Sequence, residues 1–437
     1  MNRPHARAAI LSVGDELILG QTLDTNSRWL SAALADIGII PIEHATVPDD
    51  RNLQAGVLQR MAERADIILC TGGLGPTADD LTRHALSDAL GDSLVEDETA
   101  LAQVASWFTS RKRAMPAINR IQALRPTRAQ CIRNHHGTAP GLSASIRTSD
   151  SREVDVFCLP GPPSEMIPMF NDSVRPLLRP PADRLVRTRV LHCFGIGESD
   201  LATRLGALMN RDRNPLVGTT ASGGVVSCRV RYEGPGPAEA ADAAVDDSLA
   251  ACASLAGPFG FGTGNQTLHE VVLSLLRDRG QTLSTVESCT GGLLGGLLTD
   301  IPGSSDSYTG GLITYANDLK FALADVPREL LGPGGPGAVS ADAALAMAVG
   351  GLRRMNSDHC LAITGIAGPG GGSDAKPVGT VWIGRASRDG STETRRFLMA
   401  GSRQTIRDWS AKSALAILRL HILGVNGVRL LREVSPS

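Results

Sequence analysis

Lysine is nearly missing from this 437-residue chain. Of 43 basic residues only Lys112, Lys320, Lys376 and Lys412 are lysines, and tyrosine occurs three times, as Tyr232, Tyr308 and Tyr315. A chain that uses arginine wherever plain positive charge suffices keeps lysine where an amine must lose its proton, which a guanidinium cannot do. CxxC pairs are missing too. The eight cysteines lie far apart, which excludes a zinc frame or disulfide scaffold and fits the reduced, buried thiols of a cytoplasmic protein. No segment approaches the roughly 18 uninterrupted apolar residues of a membrane span, and the apolar run in MNRPHARAAILSVGDE is too short for a signal peptide. With a net charge of −2 and no polybasic block, neither a membrane nor nucleic acid is an expected partner.

What is present is an α/β pattern long enough for two or three domains. RAAILSV (7–13), PIEHATVP (41–48), DIILC (66–70) and VDVFC (154–158) read as strands, separated by helical spacing at 25–37, 53–65 and 81–90. That order predicts a mainly parallel sheet covered on both faces. RPPADR (179–184) marks a boundary, after which short alternating units predict a small α+β domain. GPFGFGTGNQT (257–267) reads as a glycine-rich linker. The expected division is 1–178, 179–262 and 263–437. The last segment carries strands at 281–287, 308–315, 358–364 and 378–387 and helices at 268–279, 290–299, 341–354 and 403–422.

In the first segment, SVGDELILGQTLDTN (12–26) and CTGGLGPTADD (70–80) place carboxylates and glycines just beyond strand ends, where β/α folds bind ligands. Gly72, Gly73 and Gly75 would let a phosphate approach the backbone, with Thr77 and Asn26 beside it. Asp15, Glu16, Asp24, Asp79 and Asp80 could hold a divalent ion against its oxygens. Asp79 or Asp80 capping a helix after a tight turn is the plainer reading. The loops NHHGTAPG (134–141) and LPGPPSEM (159–166) weigh towards the ligand, while His135 and His136 read as solvent-facing. GDELILGQTLDTN, TGGLGPTADD, GTAPG and LPGPPSEM together resemble the N-terminal half of the CinA family. The resemblance implies a molybdopterin-binding-like α/β sandwich and hydrolysis of the ADP-ribose pyrophosphate with a divalent ion (Mg or Co), often with K+.

In the last segment, TLSTVESCTGGLLGGLL runs a β-branched strand into Ser288 and Cys289 and then into a glycine-rich helix expected to leave from Thr290. Such a strand-to-helix elbow presents a side chain beside helix N–H groups, although Ser288 or Thr290 could simply cap the helix. A serine nucleophile needs a base. His269, His359 and His421 lie outside any glycine-rich or polar motif. GGLITYANDLK (310–320) instead puts Tyr315 and Lys320 at an expected turn after a strand, and AITGIAGPGGGSDAKPVGTVWIG (362–384) adds a ligand-cradling loop with Lys376. ESCTGG, GSS, TYANDLK, GAVS, TGIAGPGGG and KPVGTVW resemble the nicotinamide-mononucleotide amidohydrolase domain of CinA proteins. That resemblance implies a catalytic Ser288, Tyr315 and Lys320. In this reading the N–H groups of Gly291 and Gly292, with Thr290, hold the oxyanion. Thr364, Gly365, Gly368, Gly370, Gly371 and Lys376 bind the nucleotide phosphate, and no cofactor is required. The expected partners are nicotinamide mononucleotide and ADP-ribose, and the expected assembly is a homodimer. The alternative is a non-catalytic nucleotide- or molybdopterin-binding scaffold linked to competence or DNA damage.

Overall fold

A computed structural model describes residues 3–434. The described residues form two compact units, one of residues 3–187 with 233–241, the other of 188–232 with 242–434.

The first unit is built on a six-stranded sheet in the order Ile40–Val47, Arg7–Val13, Ile67–Thr71, Glu153–Leu159, Gly141–Arg147 and Gln130–Ile132. The first four strands run parallel and the last two antiparallel. Alternate residues of the inner strands enter different cores. Ala9, Leu11, Ile68 and Cys70 join the helices Arg51–Ala62 and Thr82–Leu90 on one face. Ala8, Ile10, Ile67 and Leu69 meet Thr25–Ala35 and Pro163–Met169 on the other. Both faces are therefore covered, which is why these strands read as unbroken apolar runs. The helix Glu98–Thr109 and the strand Gly141–Arg147 belong to a stretch without a sequence expectation.

The second unit contains two sheets. In the four-stranded one, Gly260–Thr263 pairs antiparallel with Leu185–Phe194, so part of the expected linker is a strand. Gly260 and Gly262 carry the pairing with Cys193 and His192, and glycine content alone disguised it. The six-stranded sheet has the order Tyr308–Ile313, Leu283–Glu287, His359–Gly365, Thr380–Ser387, Thr392–Leu398 and Glu433–Val434. Its first three strands are parallel. The terminal helix Arg403–Ile422 and the helix Leu268–Arg277 cover one face, and Ala341–Met355 covers the other. Phe194 and Phe261 join the core of the terminal segment.

Candidate active site

The parallel strands Tyr308–Ile313, Leu283–Glu287 and His359–Gly365 are neighbours, so the loops leaving their carboxyl ends converge on one edge. The elbow, the Tyr315–Lys320 segment and the glycine loop are those three loops. Ser288 N–H donates to Ile363 O at 2.9 Å and Thr314 N–H to Glu287 O at 2.8 Å, which stitches all three together.

Lys320 is not at a turn. It lies inside the helix Asn317–Ala324, with its side chain 1% exposed. Its Nζ stands 3.1 Å from Ser288 Oγ, 2.7 Å from Thr314 O and 3.3 Å from Tyr315 O. Its surroundings thus offer two carbonyls and one hydroxyl oxygen to its N–H donors. Burial holds Lys320 below the usual lysine range, against a smaller opposing pull from Cys289. Ser288 is 8% exposed, and its Oγ accepts from Lys320 Nζ. Cys289 is a packed neighbour in the core, and burial pushes its thiol up to about 12.

The phenol of Tyr315 is elsewhere. The residue is 59% exposed, and its hydroxyl accepts from Arg403 at 3.0 Å. Tyr315 contributes its backbone carbonyl to Lys320 instead. The expected oxyanion donors also need correction. The elbow helix starts at Leu293, not at Thr290, because Gly291 and Gly292 take positive φ of 59° and 94°. Gly291 N–H closes a turn onto Ser288 O, and Gly292 N–H donates to Glu287. Among the described residues, the N–H groups of Cys289 and Thr290 have no hydrogen-bond acceptor on another residue. They directly follow Ser288, the position after the elbow serine at which elbow-type hydrolases place an oxyanion donor. Thr290 is fully buried and its Oγ1 lacks a partner.

Two arginines from the start of the terminal helix, unnoticed in the sequence, brace this edge. Arg407 donates to Thr290 O, at 2.6 Å from Nη2, and Arg403 donates to Gly368 O at 2.9 Å as well as to Tyr315. Their i, i+4 spacing at a helix start was a usable signal, drowned by the abundance of arginine. Lys376 is engaged too: its Nζ donates to Pro336 O at 2.6 Å, while Thr364 Oγ1 donates to Ala338 O at 2.7 Å. Both tether the 336–338 stretch. Gly365 ends its strand, and Gly370 and Gly371 lie exposed beyond it.

In the first unit, the four expected loops do meet, around a cavity of about 470 Å³. Gly72, Gly73, Gly75, Thr77, Asn26, Glu16, Asp24, Asp79 and Asp80 all line it; Asp15 does not. Asp15 and Asp49 exchange backbone N–H bonds at 3.0 and 3.1 Å. Burial pushes the Asp49 carboxyl up, and the charges of Asp15, Glu16 and Asp79 add to that rise. Asp80 accepts from Gly75 N–H at 2.7 Å, from Thr77 N–H at 2.8 Å and from the Thr77 hydroxyl. Asp24 caps its helix through Ser27 N–H and accepts from Ser12 Oγ at 2.7 Å. Burial alone would raise the Asp24 carboxyl, but bonds from Ser27 and Ser12 outweigh it and hold it low.

Both oxygens of Asp24 and of Asp80 are thus taken by their own loops, and the Gly75 and Thr77 amides are spent on Asp80. No group of three or more His, Cys, Asp or Glu among the described residues is arranged to hold a metal ion. Of the five expected carboxylates, Asp24 and Asp80 are engaged by their own loops, and Glu16 and Asp79 also line the cavity. The loop itself is rigidly made: a Cβ at Gly73 (φ +64°) would run into Thr82, and buried Arg83 donates to Leu74 O at 2.5 Å and Gly75 O at 3.1 Å. Asn26 Nδ2 donates to Gly161 O at 2.7 Å, which leaves its buried Oδ1 without a partner. His135 and His136 are exposed.

Three family models match the chain: a probable molybdopterin binding domain over residues 9–180, the damage-inducible protein CinA KH domain over 188–252, and the CinA C-terminal domain over 265–422. A CinA-like protein of Synechococcus sp. (strain RCC307) is 41% identical over 429 residues, covering 97% of this chain and 100% of that protein. The chain belongs to the CinA family. Another CinA-like protein, from Microcystis aeruginosa, is 41% identical over 95% of this chain and 99% of its own length. Among solved structures, the competence/damage inducible protein CihA from Agrobacterium tumefaciens is 39% identical, covering 36% of this chain and 93% of its own, with a TM-score of 0.34. As a CinA-family chain it carries a molybdopterin-binding-like α/β unit, and no helix among its described residues is long and apolar enough to cross a membrane.

Proposed function

We propose that the second unit hydrolyses the carboxamide of nicotinamide mononucleotide to nicotinate mononucleotide and ammonia. The observation that carries this reading is the buried Lys320 amine 3.1 Å from Ser288 Oγ, with its remaining donors directed at two carbonyls. Ser288 Oγ attacks the carboxamide carbon as its proton passes to Lys320 Nζ. The carbonyl π electrons move onto oxygen, which the Cys289 and Thr290 N–H groups receive. Collapse of that intermediate breaks the C–N bond, and Lys320 returns the proton to the departing ammonia. Water then attacks the acyl-serine, giving one proton to Lys320. Release of Ser288 Oγ takes that proton back, and the acid is free. The substrate class rests on the resemblance of ESCTGG, TYANDLK and TGIAGPGGG to the amidohydrolase domain, and Arg403, beside Tyr315 and Gly368 O, offers a cation for its phosphate. Ammonia release by purified protein tests it, with Ser288→Ala as the variant that must fail.

For the first unit, one observation favours a nucleotide-binding reading. The cavity has no lysine or arginine in its lining but offers a buried, unpartnered acceptor on Asn26. That suits a ligand presenting hydroxyl donors, such as the ribose of ADP-ribose. Calorimetric titration of ADP-ribose, with and without Mg2+, tests this; affinity unchanged in Asn26→Leu would contradict it.

A further inference from the structure

We propose that Glu287 is a positioning residue for Ser288, its buried carboxylate holding the nucleophile elbow in shape. The inference rests on the amidohydrolase reading above. Glu287 ends the strand Leu283–Glu287 and is 2% exposed. Its Oε2 accepts N–H bonds from Gly292 at 3.0 Å and Leu294 at 3.1 Å, and its Oε1 accepts from Gly295 at 2.8 Å. A carboxylate in a dry site is costly unless its acceptors are filled, and backbone amides fill them here. Helix starts are ordinarily capped by the side chain of the N-cap residue. In this helix the N-cap is Gly292, which has no side chain, and the cap comes from five residues upstream.

That displacement has a mechanical result. The carboxylate ties the end of the strand to the start of the helix, and the four residues between them, 288–291, are the elbow. Gly291, at φ +59°, has no side chain to restrain the turn. Arg407 also holds Thr290 O, so the elbow is tied both to Glu287 and to the terminal helix. The carboxylate also consumes the helix-end amides, which leaves the oxyanion to the N–H groups next to Ser288.

Glu287→Gln keeps the size but turns an NH2 group towards amides that need an acceptor. The expected result is a kcat lower by about 10- to 100-fold with KM changed little, since a displacement of about 1 Å at a reacting group has that effect. A second readout does not depend on turnover. In the native variant Cys289 becomes reactive to N-ethylmaleimide, while Cys70, Cys158, Cys228 and Cys360, buried elsewhere, stay protected. Global destabilisation would label all five together and would overturn the inference, as would an unchanged kcat with Cys289 still protected. If the wild type itself releases no ammonia, the amidohydrolase reading fails, and Cys289 labelling still decides the role of Glu287 in the elbow. Should the variant not fold, hydrogen exchange on the wild type decides: Gly292, Leu294 and Gly295 amides are expected to exchange as slowly as the central strands, and loop-like exchange would refute that tie.

Discussion

Replacing Lys320 by methionine removes the proposed base while keeping a side chain of similar length in a site that is 1% exposed. Two carbonyls, Thr314 O and Tyr315 O, lose their donor. At about 0.5–1.5 kcal/mol for each net hydrogen bond, the folding cost is about 1–3 kcal/mol. Loss of a positioned general base costs about 10²- to 10⁴-fold in kcat, or about 3–5 kcal/mol of barrier. The variant is therefore expected to fold and to be inactive. Burial lowers the Lys320 pKa in the fold, so wild-type kcat/KM should rise with pH through that value. Stability has the same sign. Between the folded value and the unfolded one of about 10.4, the unfolded chain binds more protons, so wild-type stability increases with pH across that window. Below it the amine must carry charge in a dry site, and the wild type loses most relative to Lys320→Met. Coupled ammonia assays and denaturant melts at several pH values measure both. A variant retaining more than about a tenth of wild-type kcat would refute the base assignment, since it amounts to less than about 1.4 kcal/mol of barrier. A stability difference flat up to pH 10 would refute the buried-amine argument.

Other outcomes follow from the same geometry. Cys289→Ala should keep substantial activity, and native wild-type Cys289 should resist iodoacetamide at pH 8, because its thiol is pushed up to about 12; intact mass spectrometry reads the labelling. Tyr315→Phe loses one exposed hydrogen bond from Arg403, so kcat should fall by no more than about tenfold, and a much larger fall would give the phenol a direct part in the reaction. Arg83→Met strips donors from Leu74 O, Gly75 O and Asp80 O, and should lower stability by about 2–4 kcal/mol and abolish ADP-ribose binding in titrations.

Much of this was legible in the sequence, for identifiable reasons. Strands buried on two faces announce themselves as apolar runs, so Arg7–Val13 and Ile67–Thr71 were plain. Lys320 stood out because lysine is scarce, although its helix was hidden by a span of only eight residues. Glu287 was invisible as a cap, since capping signals are sought at the N-cap and this one acts from the preceding strand. The partners of the N-terminal carboxylates were not legible, because sequence gives their proximity alone. Asp24 and Asp80 were already committed to Ser27, Gly75 and Thr77. Arg403 and Arg407 carried no contrast in an arginine-rich chain, and only the packing of the terminal helix brought them to the elbow.

The most direct measurement of the central claim is ammonia release from nicotinamide mononucleotide by the full chain, wild type beside Ser288→Ala. The account predicts ammonia and nicotinate mononucleotide in equal amounts from the wild type, and a rate at least about 10³-fold lower from Ser288→Ala. Equal rates from the two proteins, or loss of activity in Cys289→Ala with Ser288→Ala still active, would contradict it.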